Sequence, residues 1–195
     1  MAARGRTFGL SGTAGYRGPM WPETQPTLLA DGITLRPLND DDIDRIADGC
    51  TDPAIAHFTR MPVPYMRSDA ERFVCQTREQ WDAHVSAAFA IAGADDLLIG
   101  ACSLMDVDLV RARAEAGYWV DRDARGRGVA RSALRLLTDW GHSALGLSGI
   151  FLTIEDANPA SVKVAHAAGY TAEPTTHGYE LKGTVREIRH HWHRR

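Results

Sequence analysis

The stretch that most narrows what this chain can fold into is Val120-Asp121-Arg122-Asp123-Ala124-Arg125-Gly126-Arg127-Gly128-Val129-Ala130. It separates a strand-like run, Ala114 to Val120, from an amphipathic helix expected to reach about Ser143. The chain must therefore turn from strand into helix within a few residues. Gly126 and Gly128 permit a tight turn and let a ligand approach the backbone without a Cβ in the way. The helix start offers unpaired N–H groups and the positive end of its dipole. A turn of this kind is an anion site, and a run of amides best suits a phosphate or pyrophosphate. The candidate ligands are Arg125, Gly126, Arg127, Gly128, Val129, Ala130 and Arg131, with the arginines adding positive charge. No Gly-Lys-Ser/Thr closes the turn, which excludes a Walker loop. Arg131 stands where a dinucleotide fingerprint needs its third glycine. What remains is Arg-x-x-Gly-x-Ala, formed by Arg125, Gly128 and Ala130.

The rest of the chain supplies a frame for that turn. Residues 1–30 are rich in Gly, Pro and Thr without a structural period and read as a flexible arm. Residues 31–195 are of a length for a single domain. That domain opens with an alternating strand from Gly32 to Leu38. Asn39 then caps a helix whose acidic start, Asp40-Asp41-Asp42, either compensates the dipole or attracts a cationic substrate. Residues Thr51 to Arg67 are too broken by proline for a helix. Ser68 to Glu71 form a capping box for a helix to about His84. Strands follow at Ala87 to Ala92, Leu97 to Met105 and Ala114 to Val120. After the long helix come a buried strand, Gly149 to Glu155, and a helix with Asn158 as cap and Pro159 at its first position. Gly169 ends that helix, and strands at Tyr170 to Glu173 and Tyr179 to Trp192 close the sheet. The order predicts an α+β domain with a mixed, mostly antiparallel sheet and one βαβ crossover around the phosphate-loop helix.

Composition removes several function classes. A net charge of -3 gives no pull toward nucleic acid or an anionic membrane. No apolar run approaches the ~18 residues of a membrane span, and no signal-peptide core is evident near the start. Three scattered cysteines point to a reduced, cytoplasmic protein. His190, His191 and His193 have no carboxylate or cysteine beside them in the tail, so no metal site is expected.

The Arg-x-x-Gly-x-Ala turn after a strand resembles the coenzyme A pyrophosphate loop of the GNAT superfamily of N-acyltransferases. Ala114-Glu115-Ala116-Gly117-Tyr118-Trp119-Val120 is similar to a strand of the branch that includes the ribosomal-protein alanine N-acetyltransferases. Asn158-Pro159-Ala160-Ser161, with Ala168-Gly169-Tyr170 after it, resembles that branch's Asn-x-x-Ser helix, and Asp52 to Tyr65 its acceptor-side loop. The resemblance implies the GNAT fold, about seven strands flanked by about four helices, and acetyl-CoA as cosubstrate. It implies direct transfer to a primary amine, most of all a protein N-terminal α-amine. A small amine (an aminoglycoside, polyamine or amino-acid derivative) is the alternative acceptor, and a non-catalytic acyl-CoA-binding module the alternative class. A homodimer is also implied. Glu115 is the expected base, the Val120 amide the expected oxyanion donor with a bulge at Gly117, and Asn158 and Ser161 the expected contacts to the pantetheine arm and sulfur. Many members carry a tyrosine seven residues after the asparagine to protonate the thiolate; here Ala165 stands there.

Overall fold

The computed structural model describes residues 20–30 and 32–195. The segment before Met20, to which most of the expected arm belongs, lies outside the described residues. One sheet holds β1 (Leu28–Ala30), β2 (Ile33–Pro37), β3 (Ala87–Ala92), β4 (Leu98–Asp108), β5 (Arg113–Val120), β6 (Gly149–Glu155), β7 (Thr171–Leu181) and β8 (Thr184–Arg194). Their spatial order is β1-β2-β3-β4-β5-β6-β8-β7. The helices are α1 (Ile43–Gly49), α2 (Pro53–Phe58), α3 (Arg67–Asp82), α4 (Val129–Ser143) and α5 (Pro159–Ala167). Among the described residues only β5 and β6 pair in parallel, and α4 makes the crossover between them. The expected α+β fold is observed, with one strand and one helix more than the sequence suggested.

Helices on both faces explain why β3 is buried along its whole length. Phe89 and Ile91 join Leu35, Leu104, Leu134, Leu137 and Ile150 in the core under α4. Ala88 and Ala90 face the other way, onto Ile46, Ile55, Val74 and Trp119 beside α1 to α3. Of the apolar positions expected to face inward on α4, Ala133, Leu137 and Trp140 are buried while Val129, Leu136 and Ala144 pack at the core's margin. Leu134 is buried as well, and burying each of Leu134 and Leu137 stabilises by roughly 1.5–3 kcal/mol.

Four local expectations are corrected. The arm does not extend to Ala30: β1 pairs with β2, and Trp21 is buried against Trp81 with ring centroids 4.8 Å apart. The Thr51–Arg67 stretch contains α2, because Asp52 accepts from the Ala54 amide at 2.9 Å and Pro53 occupies the first turn. The cap of α3 comes from Asp69 reaching back to the Met66 amide at 2.8 Å, so Met66 rather than Ser68 is the N-cap. The last strands are longer than expected and form a hairpin whose two-residue turn has Lys182 and Gly183 at positive φ. The acidic start of α1 is structural: Asp42 accepts from both Arg36 terminal nitrogens at 2.8 Å, and Asp40 pairs with Arg78 at 2.7 Å.

The feature that positions the site is where β5 and β6 part. Their ladder comprises Arg113 with Gly149, Ala114 with Ile150 and Glu115 with Phe151. Past Glu115, β5 stays paired to β4 through Val120, while β6 turns to β8 through Glu155. The two strands diverge and leave a gap in mid-sheet. No bulge at Gly117 produces it, since Gly117 keeps regular register with Ser103. Gly117 serves a neighbour instead: a Cβ there would stand 2.8 Å from Met105 Cε, so its absence makes room for that side chain.

Candidate active site

A cavity of about 580 Å³ fills the gap and reaches both faces of the sheet. On the α1–α3 side it is walled by Met105, Glu115 and Trp119 with Phe58, Tyr65 and Phe73. On the α5 side stand Tyr118, Asn158 and Ser161. Alternation along β5 makes this division, because successive side chains point to opposite faces.

Glu115, expected as the base, lines the cavity half-buried, and no hydrogen bond or ion pair engages its carboxylate among the described residues. The other two carboxylates in the wall are committed. Glu155 pairs with Arg186 at 2.7 Å, and Asp69 accepts from the Met66 amide and from Arg72. The direction of the Val120 amide, the expected oxyanion donor, follows from the β4–β5 ladder. Asp121 donates to the Ile99 carbonyl at 2.9 Å, so by alternation the Val120 and Tyr118 amides point away from β4, toward the gap.

The phosphate-loop residues gather at one end of this gap. A turn at Arg122–Ala124, capped by Asp121, leads to Gly126 at φ 76° and Gly128 at φ 81°. Both angles lie in the left-handed region that favours glycine. Gly128 is the N-cap of α4, and the first helical bond comes from the Ser132 amide. The amides of Val129, Ala130 and Arg131 therefore precede the first intrahelical donor. Nothing lies within 4 Å of where a Gly126 Cβ would be, so a ligand can reach the backbone there. Arg127 and Arg131 are exposed and carry no ion pair among the described residues. Arg125 departs from expectation. Its Nε donates to the Val120 carbonyl at 2.9 Å and its Nη2 pairs with Asp52 at 2.8 Å, so its guanidinium ties the loop to α2. The Ala54 amide and the Arg125 and Arg122 guanidiniums hold the Asp52 carboxyl below the usual carboxylate range.

Asn158 caps α5 by accepting from the Ser161 amide at 3.1 Å. Ser161 Oγ lies 2.8 Å from the Tyr118 hydroxyl, a partner that sequence spacing did not reveal. Burial pushes the Tyr118 phenol up to about 12, with the Ser161 hydrogen bond acting against the shift. Ala165 is fully buried in the core. Cys50 and Cys102 also line the cavity, but burial pushes the Cys50 thiol up to about 12 and raises Cys102 further. Neither offers a thiolate near neutral pH.

A sheet opened at one parallel pair, with an anion cradle beside the opening, is the architecture of an acyl-CoA-dependent acyltransferase. The chain belongs to the acetyltransferase (GNAT) family, whose domain matches residues 33–171. It is an N-acetyltransferase that takes its acetyl group from acetyl-CoA and delivers it to an amine. Among curated proteins it is similar to the uncharacterized N-acetyltransferase p20 of Bacillus licheniformis, 26% identical over 165 residues, 83% of this chain and 92% of that relative. The fold matches RimJ of Mycobacterium smegmatis, solved in complex with CoA-disulfide (TM-score 0.78, 22% identity, 90% of this chain and 89% of RimJ). It also matches spermidine N-acetyltransferase of Vibrio cholerae, solved with CoA and spermine (TM-score 0.72, 19% identity, 84% and 95%). Among the described residues no helix is long and apolar enough to cross a membrane.

Proposed function

We propose that the acceptor is the α-amine of a protein N-terminus and that the acetyl group passes to it directly, within a ternary complex. The observation that carries this reading is the uncommitted Glu115 carboxylate at the mouth of the strand gap, opposite the Tyr118–Ser161 pair. Coenzyme phosphates bind at the amides of Gly126 to Arg131, and the pantetheine arm follows the gap past Asn158 and Ser161. The thioester carbonyl meets the Val120 N–H, which is fixed in place before charge develops on the oxygen. Glu115 takes the proton that the attacking amine must lose, directly or through water. Tyr118 donates to Ser161 Oγ and leaves the serine hydroxyl free to donate toward the leaving sulfur. A phenol near 12 is a weaker acid than a thiol of about 8.5. The pair therefore stabilises the thiolate by hydrogen bonding more than by proton transfer. The raised thiols of Cys50 and Cys102 support direct transfer over an acetyl-cysteine intermediate.

The acceptor class follows from charge. One free carboxylate amid Phe58, Tyr65, Phe73 and Trp119 suits a single amine on an otherwise uncharged arm. A polyamine carries several charges, and Glu155 and Asp69 are already paired. The test is acetylation of a matched panel, N-terminal peptides against spermidine and an aminoglycoside, read by mass spectrometry. Peptides are expected to have the highest kcat/KM; a preference for spermidine would overturn the acceptor assignment, and no turnover on any amine would overturn the catalytic one.

A further inference from the structure

The tail histidines were expected to lack an acidic partner, yet β7 and β8 give His190 one. Glu173 Oε2 lies 3.6 Å from His190 Nδ1 and 3.8 Å from His177 Nε2, and all three donor atoms fall within 4.8 Å of one another. The arrangement comes from an irregular register. Ala172 pairs with His191 and Thr176 with Arg189, so Glu173, Pro174 and Thr175 together oppose His190 alone. Alternation puts Glu173 and His177 on the side of the sheet on which His190 stands, and the two extra residues of the bulge keep them there while drawing them together opposite it.

The bulge is held rather than loose. Arg189 Nη1 donates to the carbonyls of Glu173 and Pro174, each at 2.8 Å. The same guanidinium binds Asp156 through two further bonds, at 3.1 and 2.8 Å. The His190 ring is seated by Phe151, edge to face at 5.2 Å, and by the stacked His177 ring at 5.0 Å. All three ligating side chains keep access to solvent. None of the three lines the acetyl-transfer cavity.

We propose that Glu173, His177 and His190 form a site for one divalent transition-metal ion of the zinc type. Two imidazoles and a carboxylate are a recognised donor set for that ion, with a fourth position left to water. Ligand bonds of about 2.0–2.2 Å place tetrahedral donors roughly 3.3–3.5 Å apart. The two Glu173 spacings are within a few tenths of an ångström of that. The two histidine nitrogens must approach further for both to bind one ion. The mixed nitrogen and oxygen donors favour zinc, cobalt, nickel or copper over magnesium or calcium, which take oxygen. The bound ion pins the bulged edge strand β7 to β8.

The probe is zinc itself, titrated calorimetrically at neutral pH into the full, untagged chain, with cobalt as a spectroscopic reporter. One zinc per chain is expected, together with a rise in Tm and the intense visible bands of four-coordinate cobalt. His177→Ala, His190→Ala and Glu173→Gln should each weaken binding by more than the roughly 10- to 100-fold that losing an outer hydrogen-bond partner costs. Cys75, the one exposed cysteine among the described residues, supplies the control: Cys75→Ser should leave binding unchanged. Metal-free melting curves show whether each variant folds. Absence of stoichiometric zinc binding, retention of it in folded Glu173 and histidine variants, or its loss with Cys75→Ser would each overturn the site.

Discussion

At the scale of single residues, the chemistry rests on groups held by neighbours distant in sequence. Glu115 is unpaired among the described residues, while Glu155 and Asp69 in the same wall are held by Arg186 and Arg72. Glu115→Gln preserves size while removing the base, and the expected loss in kcat is about 10²–10⁴-fold. An α-amine of pKa ~8 should sit at the low end, and raising the pH should partly restore the rate. Paired pH–rate profiles with one acceptor check this, and superimposable profiles would remove Glu115 from the mechanism. Ser161→Ala should cost roughly tenfold in kcat, below the range of a committed general acid. Tyr118→Phe should cost about as much, and the double variant little more, because the tyrosine acts through the serine. A loss beyond a thousandfold in either would make that residue an essential acid. Ser161 was legible from the Asn-x-x-Ser spacing. Tyr118 was not, because its partner lies 43 residues away and only the splay of β5 from β6 brings them together.

At the scale of elements, the strand-turn-helix stretch was legible because its chemistry is local: two glycines at positive φ, then a helix start. Replacing Gly128 tests it cleanly. Asp and Asn both tolerate the left-handed conformation better than other side chains, so neither should unfold the loop. Only Asp sets a negative charge against the phosphates. Gly128→Asp is expected to lower CoA affinity at least tenfold, about 1.4 kcal/mol, with a much smaller loss for Gly128→Asn. Calorimetric titration of both variants separates charge from shape, and equal affinities would refute the phosphate assignment. The elements that escaped the sequence reading were those whose determinants are tertiary. Residues Thr171 to Leu181 show no clean apolar alternation, because β7 is an edge strand with little to bury. Trp21 reads as part of an arm because the rings that give it a place to pack, Trp81 and His84, lie sixty residues and more along the chain. The α2 start was written in Asp52-Pro53, but Pro62 and Pro64 drew the reading toward an open loop.

At the scale of the molecule, β8 carries an acid sensitivity. Burial, and then His166 for His191 and His142 for His193, hold both imidazoles below their usual value. An unfolded histidine binds a proton near pH 6.5, so the unfolded state takes up more protons than the native one below that point. The stability from these residues is complete above about pH 6.5 and is lost as pH falls toward the folded values. Neither His191 ring nitrogen has a hydrogen-bond partner among the described residues. Urea unfolding from neutral pH down to about pH 5 should show falling stability, with a shallower slope in His191→Leu. An unchanged slope would show that His191 is not the cause. The gap between β5 and β6 has a further consequence for timing. Because the opening reaches both faces of the sheet, the proposed mechanism has the nucleotide-bearing reactant and the amine enter from opposite sides of one wall, neither closing the other's door. Either can dock first. Product inhibition should show CoA competing with acetyl-CoA and the acetylated amine competing with the amine; an obligatory order with acetyl-CoA first gives the former pattern but not the latter.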